Sequence, residues 1–204
     1  MFIDDSSPDG TGEEVEKLMR QDTSVLLLRR EAKEGLGNAY RAGFRRVLEM
    51  GEWDRVFMMD ADLSHQARHL PQLDRGLDDA DLVLGSRYLQ GVSVLNWSIA
   101  RLNMSYSANK YIRFITGMPF SDCTSGYRGF RAELLPVLLD SGIGTSGYAF
   151  LVEILYRVWK HGAGIKEVPI VFVERRAGSS KVSAGVFLES LLTPLKLRLR
   201  RRRQ

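Results

Sequence analysis

Short apolar runs that alternate with helical segments constrain the fold of this chain more than any other feature. In chain order these segments are a helix at 12–21, a strand at 25–28, a helix at 38–50, a strand at 54–59, a helix at 68–78 and a strand at 81–85. Such alternation predicts an α/β fold, with a mostly parallel sheet and helices on both faces. The chain has 204 residues, 44% of them hydrophobic, which is enough for one compact domain with a buried core.

Acidic residues follow two of the apolar runs. A short run at the amino end leads into Asp4-Asp5, and the run 54–59 leads into Asp60-Ala61-Asp62. Side chains at the carboxyl ends of parallel strands point into the crevice where open α/β sheets bind ligands. Two carboxylates two residues apart can share one hard cation, which can neutralise a diphosphate leaving group. Two solvated acids that cap a strand are at least as common, so this pair alone indicates a metal site only weakly.

Further motifs accompany the acidic pair in a fixed order. They are residues 4–12 (DDSSPDGTG), 35–40 (GLGNAY), 59–65 (MDADLSH), 85–88 (GSRY), 122–128 (DCTSGYR), 167–170 (EVPI) and 178–181 (GSSK). In order and spacing the chain resembles family 2 glycosyltransferases of the GT-A fold, specifically polyprenol- or dolichol-phosphate mannose synthases. The resemblance extends from residue 2 to about residue 181. It implies a Rossmann-like nucleotide-diphospho-sugar transferase fold.

The resemblance also implies a reaction and a set of site residues. The reaction is inverting transfer of mannose from GDP-mannose to a polyprenyl or dolichyl phosphate, giving lipid-phosphate mannose and GDP. Residues expected to bind the nucleotide sugar are Asp4, Asp5, Asp60, Ala61, Asp62, Arg87, Arg175 and Lys181. Those expected to bind Mg²⁺ or Mn²⁺ are Asp60, Asp62 and Ser64, and those expected to bind the acceptor phosphate are Arg101 and Ser105. The resemblance assigns catalysis to Asp62, Arg87 and Arg101.

Several of these residues have a structural alternative. Asp4 could cap the turn that follows it, and Arg175 and Lys181 could be surface charges that flank a polar loop. Asp122 and Arg128 could form a buried ion pair instead of shaping the acceptor side. The histidines at 65, 69 and 161 are interpreted mainly as structural, because an anionic phosphate acceptor needs no general base.

Two alternative functions remain open. One is a family 2 transferase that moves another sugar, such as glucose or an amino sugar carried on UDP, to a lipid phosphate. The other is a non-catalytic paralogue that binds lipid or a membrane partner subunit. Family members open with a strand about thirty residues before this chain begins, so the first strand is expected to be missing and residues 1–183 to be an N-terminally truncated GT-A domain.

Residues 184–204 are expected to form an amphipathic basic helix or tail. The chain carries a net charge of +4, and six of its positive charges lie at Lys196, Arg198 and 200–203, so the rest sums to 4 − 6 = −2. Leucines at helical spacing precede the basic residues, a pattern typical of a helix at an anionic membrane surface. A solvated tail is the alternative, and nucleic acid is excluded because the rest of the chain has no basic surface. The expected location is cytoplasmic, peripherally attached to the cytoplasmic face of the membrane.

Overall fold

The computed structural model describes residues 1–139, 144–145, 147–174 and 184–200. In these ranges the strands are β1 Phe2–Asp4, β2 Leu27–Arg29, β3 Arg55–Met58, β4 Leu82–Ser86, β5 Val94–Leu95, β6 Arg128–Arg131, β7 Ile165–Pro169 and β8 Phe172–Val173. The helices are α1 Thr11–Gln21, α2 Leu36–Met50, α3 Leu70–Gly76, α4 Ile99–Thr116, α5 Leu135–Leu139, α6 Ala149–His161 and α7 Ala184–Arg200. Short 3₁₀ turns at Ala67–His69 and Ala132–Leu134 lead into α3 and α5.

The central sheet has four strands in the order β3-β6-β4-β7. Strand β6 is antiparallel to both β3 and β4, and β7 is parallel to β4. Three of the four strands therefore run in one direction, with β6 reversed between them. Two further parallel pairs, β1 with β2 and β5 with β8, form separate two-stranded sheets. The predicted α/β fold with parallel strands is confirmed.

Helices cover both faces of the sheet because β4 is apolar on both sides. Leu82 and Leu84 point into a large core cluster with α2, α4, α5, α6 and α7, whereas Val83 points into a smaller cluster with α3. All five residues of β4 are buried. This continuous apolar run is typical of a strand with helices on both faces.

The last helix, α7, packs against the domain through α4 and α6. Leu197 is buried in the large core cluster. The Tyr111 hydroxyl donates to the Leu191 carbonyl at 2.8 Å, and an Arg198 Nη donates to the Ile115 carbonyl at 3.1 Å. The opposite side of α7 presents a stripe of exposed leucines: Leu188, Leu191, Leu192, Leu195 and Leu199. The helical part of the predicted tail is thus a packed element with one apolar face left outside.

Candidate active site

The loop after β3 folds the two acids around a compact turn. The Asp62 carboxylate accepts hydrogen bonds from the Ser64 hydroxyl and from the Ser64 backbone N–H, the latter at 3.0 Å. Leu63 between them has a positive φ of 64°, an uncommon conformation for a residue with a side chain. The loop therefore holds Asp62 and Ser64, two of the three expected metal ligands, in direct contact.

His65 anchors the first acid of the pair. Its Nδ1 accepts a hydrogen bond from the Asp60 backbone N–H at 2.9 Å, which requires the neutral tautomer protonated on Nε2. The imidazole ring stacks on Tyr127 at 4.9 Å and meets the edge of Phe172 at 5.4 Å. Burial, together with the nearby charge of Arg87, lowers the pKa of His65 to about 4. The histidine expected to be structural is thus a neutral support for the acidic loop.

Strand β8 connects the acidic loop with the region around α4. The Val173 backbone N–H donates to the Ser64 carbonyl at 3.3 Å, and the Glu174 N–H donates to the Leu95 carbonyl at 3.1 Å. A cavity of about 290 Å³ lies along this seam. Its walls include Asp62 and His65 on one side and Val173 and Glu174 on the other.

Arg87, directly after β4, is clamped by Asp122. The guanidinium donates to both Asp122 carboxylate oxygens at 2.7 Å, and the Arg87 backbone N–H donates at 3.1 Å. The guanidinium lies 5.5–5.6 Å from the ring centres of Tyr88, Trp97 and Phe172. Burial alone would raise the pKa of Asp122, but the charge and hydrogen bonds of Arg87 outweigh it and the pKa is lowered. Asp122 thus holds Arg87 beside Trp97 and Phe172. The expected contact of Arg87 with the donor remains a prediction.

A buried ion pair between Asp122 and Arg128 was the structural alternative for these two residues. That alternative is wrong, because Asp122 pairs with Arg87. Arg128 is fully buried and donates to the backbone carbonyls of Ser125, Leu151 and Cys123. Through these hydrogen bonds the Arg128 side chain ties the loop before β6 to α6. Burial lowers the pKa of Arg128 to about 10, which leaves it charged at neutral pH.

Arg101 lies in the first turn of α4. Ser98 caps the helix by accepting from the Arg101 N–H, and the guanidinium stacks over the Trp97 ring at 4.3 Å. The same guanidinium forms an ion pair with Glu174. One turn further, the Ser105 hydroxyl accepts from the Tyr88 hydroxyl at 2.8 Å. The two residues expected to hold the acceptor phosphate therefore lie on adjacent turns of one helix.

The acids at the end of β1 have local partners. Buried Asp4 accepts from the Ser7 backbone N–H at 3.3 Å, which is the turn-capping arrangement given as the alternative to nucleotide binding. Asp5 forms an ion pair with Arg30 at 2.8 Å. Their expected contact with the nucleotide remains a prediction. Arg175 and Lys181, together with the loop between them, lie outside the described residues.

Two residues of this region were missed by the sequence reasoning. Tyr40 on α2 stacks on Phe150, and its pKa is raised by burial and by the nearby Asp60 carboxylate. Tyr40 is the last residue of the GLGNAY motif, but nothing in the motif indicates that its ring stacks on Phe150. Glu174 carried no signal, because a single acid after a short strand is common on protein surfaces.

The acidic loop fits a divalent cation that prefers oxygen ligands. The part of the chain that the structure describes contains no group of three or more His, Cys, Asp or Glu side chains placed to hold a metal ion, so a cation here would need further ligands. Mg²⁺ typically binds one or two carboxylates and completes its coordination with water and substrate phosphates. Asp60, Asp62 and the Ser64 hydroxyl match that pattern. Zinc sites typically rely on Cys and His ligands, whereas this loop contains no Cys and its histidine, His65, already accepts a hydrogen bond from the Asp60 N–H at Nδ1.

Comparison with known proteins identifies the family. The model of glycosyl transferase family 2 matches residues 1–139. The chain belongs to glycosyl transferase family 2. The resemblance inferred from the motifs is confirmed, and the protein is a glycosyltransferase.

Relatives within the family share most of the chain. An undecaprenyl-phosphate mannosyltransferase of Micrococcus luteus is 43% identical over 192 residues, which are 94% of this chain and 79% of the relative. A polyprenol monophosphomannose synthase of Mycolicibacterium smegmatis is 40% identical over 193 residues, which are 94% of this chain and 72% of the relative.

Solved structures support the GT-A fold of this family 2 member. Glucosyl-3-phosphoglycerate synthase from Mycobacterium tuberculosis, in complex with phosphoglyceric acid, superposes with a TM-score of 0.64 at 18% identity. That match covers 96% of this chain and 67% of the other. The same enzyme with Mn²⁺, UDP-glucose and phosphoglyceric acid gives a TM-score of 0.63 at 19% identity, over 95% of this chain and 67% of the other.

Proposed function

We propose that this glycosyltransferase moves mannose from GDP-mannose to a polyprenyl or dolichyl phosphate, with inversion at the sugar carbon. The observation that carries the proposal is the short seam between the acidic loop and α4. Strand β8 hydrogen-bonds to Ser64 beside Asp62, and the residue after it pairs with Arg101. The proposed donor site at Asp62 and the proposed anion site at Arg101 would thus be linked through Glu174, which lines the same cavity as Asp62. The names of the two relatives support mannose as the sugar and a lipid phosphate as the acceptor.

On the donor side, Asp60 and Asp62 would hold the diphosphate through a divalent cation. When bound, Mg²⁺ or Mn²⁺ would neutralise the negative charge that develops on the departing GDP. The chain's own contribution is the geometry of the loop. Ser64 fixes the Asp62 carboxylate, and His65 holds the backbone at Asp60, so both acids keep their places before the donor arrives.

On the acceptor side, the phosphate monoester of the lipid is the nucleophile. Its oxygens are already anionic at neutral pH, so the attack needs no protein base. Arg101 would hold and orient this phosphate, with Ser105 on the next turn of α4 as a second ligand. Attack from the side opposite to the GDP leaving group would invert the configuration at the sugar carbon.

We also propose that α4 and α7 place the enzyme on the cytoplasmic face of a membrane, where the lipid phosphate acceptor would be presented. Among the described residues, no helix is long and apolar enough to cross a bilayer. The leucine stripe of α7 is exposed, and Ile99 and Phe114 of α4 are 78% and 84% exposed. Lys196 and Arg198 add positive charge beside this apolar surface. Apolar side chains flanked by basic ones are typical of a helix at an anionic lipid interface.

Steady-state kinetics test whether Arg101 binds the acceptor phosphate rather than the donor. Arg101→Gln should raise the KM for polyprenyl phosphate by at least about tenfold, because charge-assisted contacts to phosphate contribute roughly 1.5–3 kcal/mol. The KM for GDP-mannose should change less than about twofold. Arg46→Gln is the matched control, since it removes an exposed arginine that pairs with Glu49 on α2. An unchanged acceptor KM in Arg101→Gln would contradict the assignment, and efficient use of UDP-glucose in place of GDP-mannose would contradict the donor.

A further inference from the structure

Arg101, proposed above to bind the acceptor phosphate, already holds an anion. That anion is the carboxylate of Glu174, which forms an ion pair with the guanidinium. Both side chains are about 70% buried, with 31% of Arg101 and 26% of Glu174 exposed. The Trp97 ring supports the guanidinium at 4.3 Å. Glu174 therefore occupies a ready-made anion position within the protein.

The backbone fixes Glu174 between the two halves of the site. Its N–H donates to the Leu95 carbonyl at 3.1 Å, and the preceding Val173 donates to Ser64 in the acidic loop. Glu174 also lines the cavity that contains Asp62. The carboxylate can leave Arg101 by rotation of its own side chain, because these backbone hydrogen bonds do not involve it.

A phosphate monoester competes well for this position. At pH 7 it carries a charge of about −1.5 to −2 and three acceptor oxygens, whereas a carboxylate carries −1 and two. Guanidinium forms bidentate hydrogen bonds with either group. The amino-terminal end of α4, where Arg101 lies, adds a partial positive charge that favours the more highly charged anion.

We propose that Glu174 is an exchangeable counter-ion of Arg101. Its carboxylate holds the guanidinium over Trp97 in the free enzyme and is displaced when the acceptor phosphate binds. The product is a phosphodiester with a single negative charge, so return of Glu174 to Arg101 assists product release. Glu174 is in this sense a positioning residue. The inference rests on the proposed role of Arg101. It adds that an anionic ligand must displace the Glu174 carboxylate from Arg101, which lowers the affinity of that ligand.

A binding experiment with a soluble acceptor tests the exchange. Geranyl phosphate is titrated by calorimetry into the wild-type protein, Glu174→Gln, Arg101→Gln and the double variant. Removing an intramolecular competitor of about 0.7–1.4 kcal/mol should make Glu174→Gln bind roughly three- to tenfold more tightly. In the Arg101→Gln background the same change should have less than about a twofold effect. Asp79→Asn is the control, because it makes the same change of charge at an exposed pair with Lys166.

Three results would overturn the proposal. Glu174→Gln could bind geranyl phosphate no more tightly than the wild type, or it could tighten binding equally without Arg101, which would indicate a general effect of charge. The absence of geranyl phosphate binding to every variant would also count against it. Mannose transfer assayed in parallel separates the two proposals. A wild type that transfers mannose without the Glu174 effect overturns only the exchange, and the Glu174 effect without transfer overturns only the reaction.

Discussion

The buried ion pair between Arg87 and Asp122 makes the strongest prediction for stability. Asp122 is fully buried and accepts hydrogen bonds from the backbone and guanidinium of Arg87 and from Thr124. Asp122→Ala would leave the Arg87 charge buried without its partner. Breaking a buried pair in this way costs about 3–5 kcal/mol of unfolding free energy. For a domain of about 200 residues each kcal/mol lowers Tm by about 2–4 °C, so Tm should fall by roughly 6–20 °C.

Urea and thermal unfolding, followed by circular dichroism, measure this loss. Asp79→Asn is again the control, because its exposed pair with Lys166 should contribute no more than about 1 kcal/mol. Arg87→Met combined with Asp122→Leu should recover much of the loss, since no charge is then left buried. A loss below about 1 kcal/mol of unfolding free energy in Asp122→Ala would refute the stabilising role of this buried pair.

The same pair gives the sign of a pH effect. The pKa of Asp122 is lowered in the folded state from its ordinary value of 3.8. Its stabilising contribution is therefore fully present above about pH 4 and is lost as the pH falls through the folded-state pKa. Acid unfolding of Asp122→Asn should show a smaller dependence on pH in that range than the wild type.

Other predictions concern the acidic loop, the sheet and the membrane surface. Asp62→Ala should abolish metal-dependent transfer while Tm changes by only a few degrees, and normal turnover would exclude Asp62 as a metal ligand. Burial lowers the pKa of His65 from 6.5 to about 4, so the unfolding free energy should fall by up to roughly 3 kcal/mol as the pH is lowered from 6.5 to 4. The variant His65→Asn should lack this component. A Cβ at Gly85 would lie 3.0 Å from Ile170, so Gly85→Ala should cost about 1–3 kcal/mol in urea unfolding. Deleting residues 196–204 should weaken binding to anionic vesicles in low salt, and vesicle binding that survives the deletion would exclude the tail as the anchor.

The alternating strands and helices in the first part of the chain could be predicted from the sequence. Apolar runs at β3 and β4 and the periodicity of α1 and α2 are local signals, and each predicted segment overlaps the observed one within a few residues. Strand β6 was missed because its sequence, RGFR, is half arginine and has no apolar run. Its stability comes from distant partners, since Gly129 leaves room for the Phe57 ring and Phe130 enters the large core.

The candidate site could be predicted in its residue types but only partly in its contacts. The motifs identified Asp62, Arg87 and Arg101 only through the family resemblance that they carry. They could not show that Arg87 pairs with Asp122 or that Arg101 pairs with Glu174, because these partners are 35 and 73 residues apart in the chain. Such contacts depend on how β8 and the loop before β6 pack beside β4.

Transfer of radiolabelled mannose tests the central claim most directly. GDP-mannose labelled in the sugar is incubated with polyprenyl phosphate in vesicles, with Mg²⁺ or Mn²⁺, and the lipid product is extracted and counted. The account predicts labelled lipid-phosphate mannose that requires the cation and is lost in both Asp62→Ala and Arg101→Gln. Labelled product that forms equally well in those two variants, or labelled transfer from UDP-glucose but not from GDP-mannose, would contradict it.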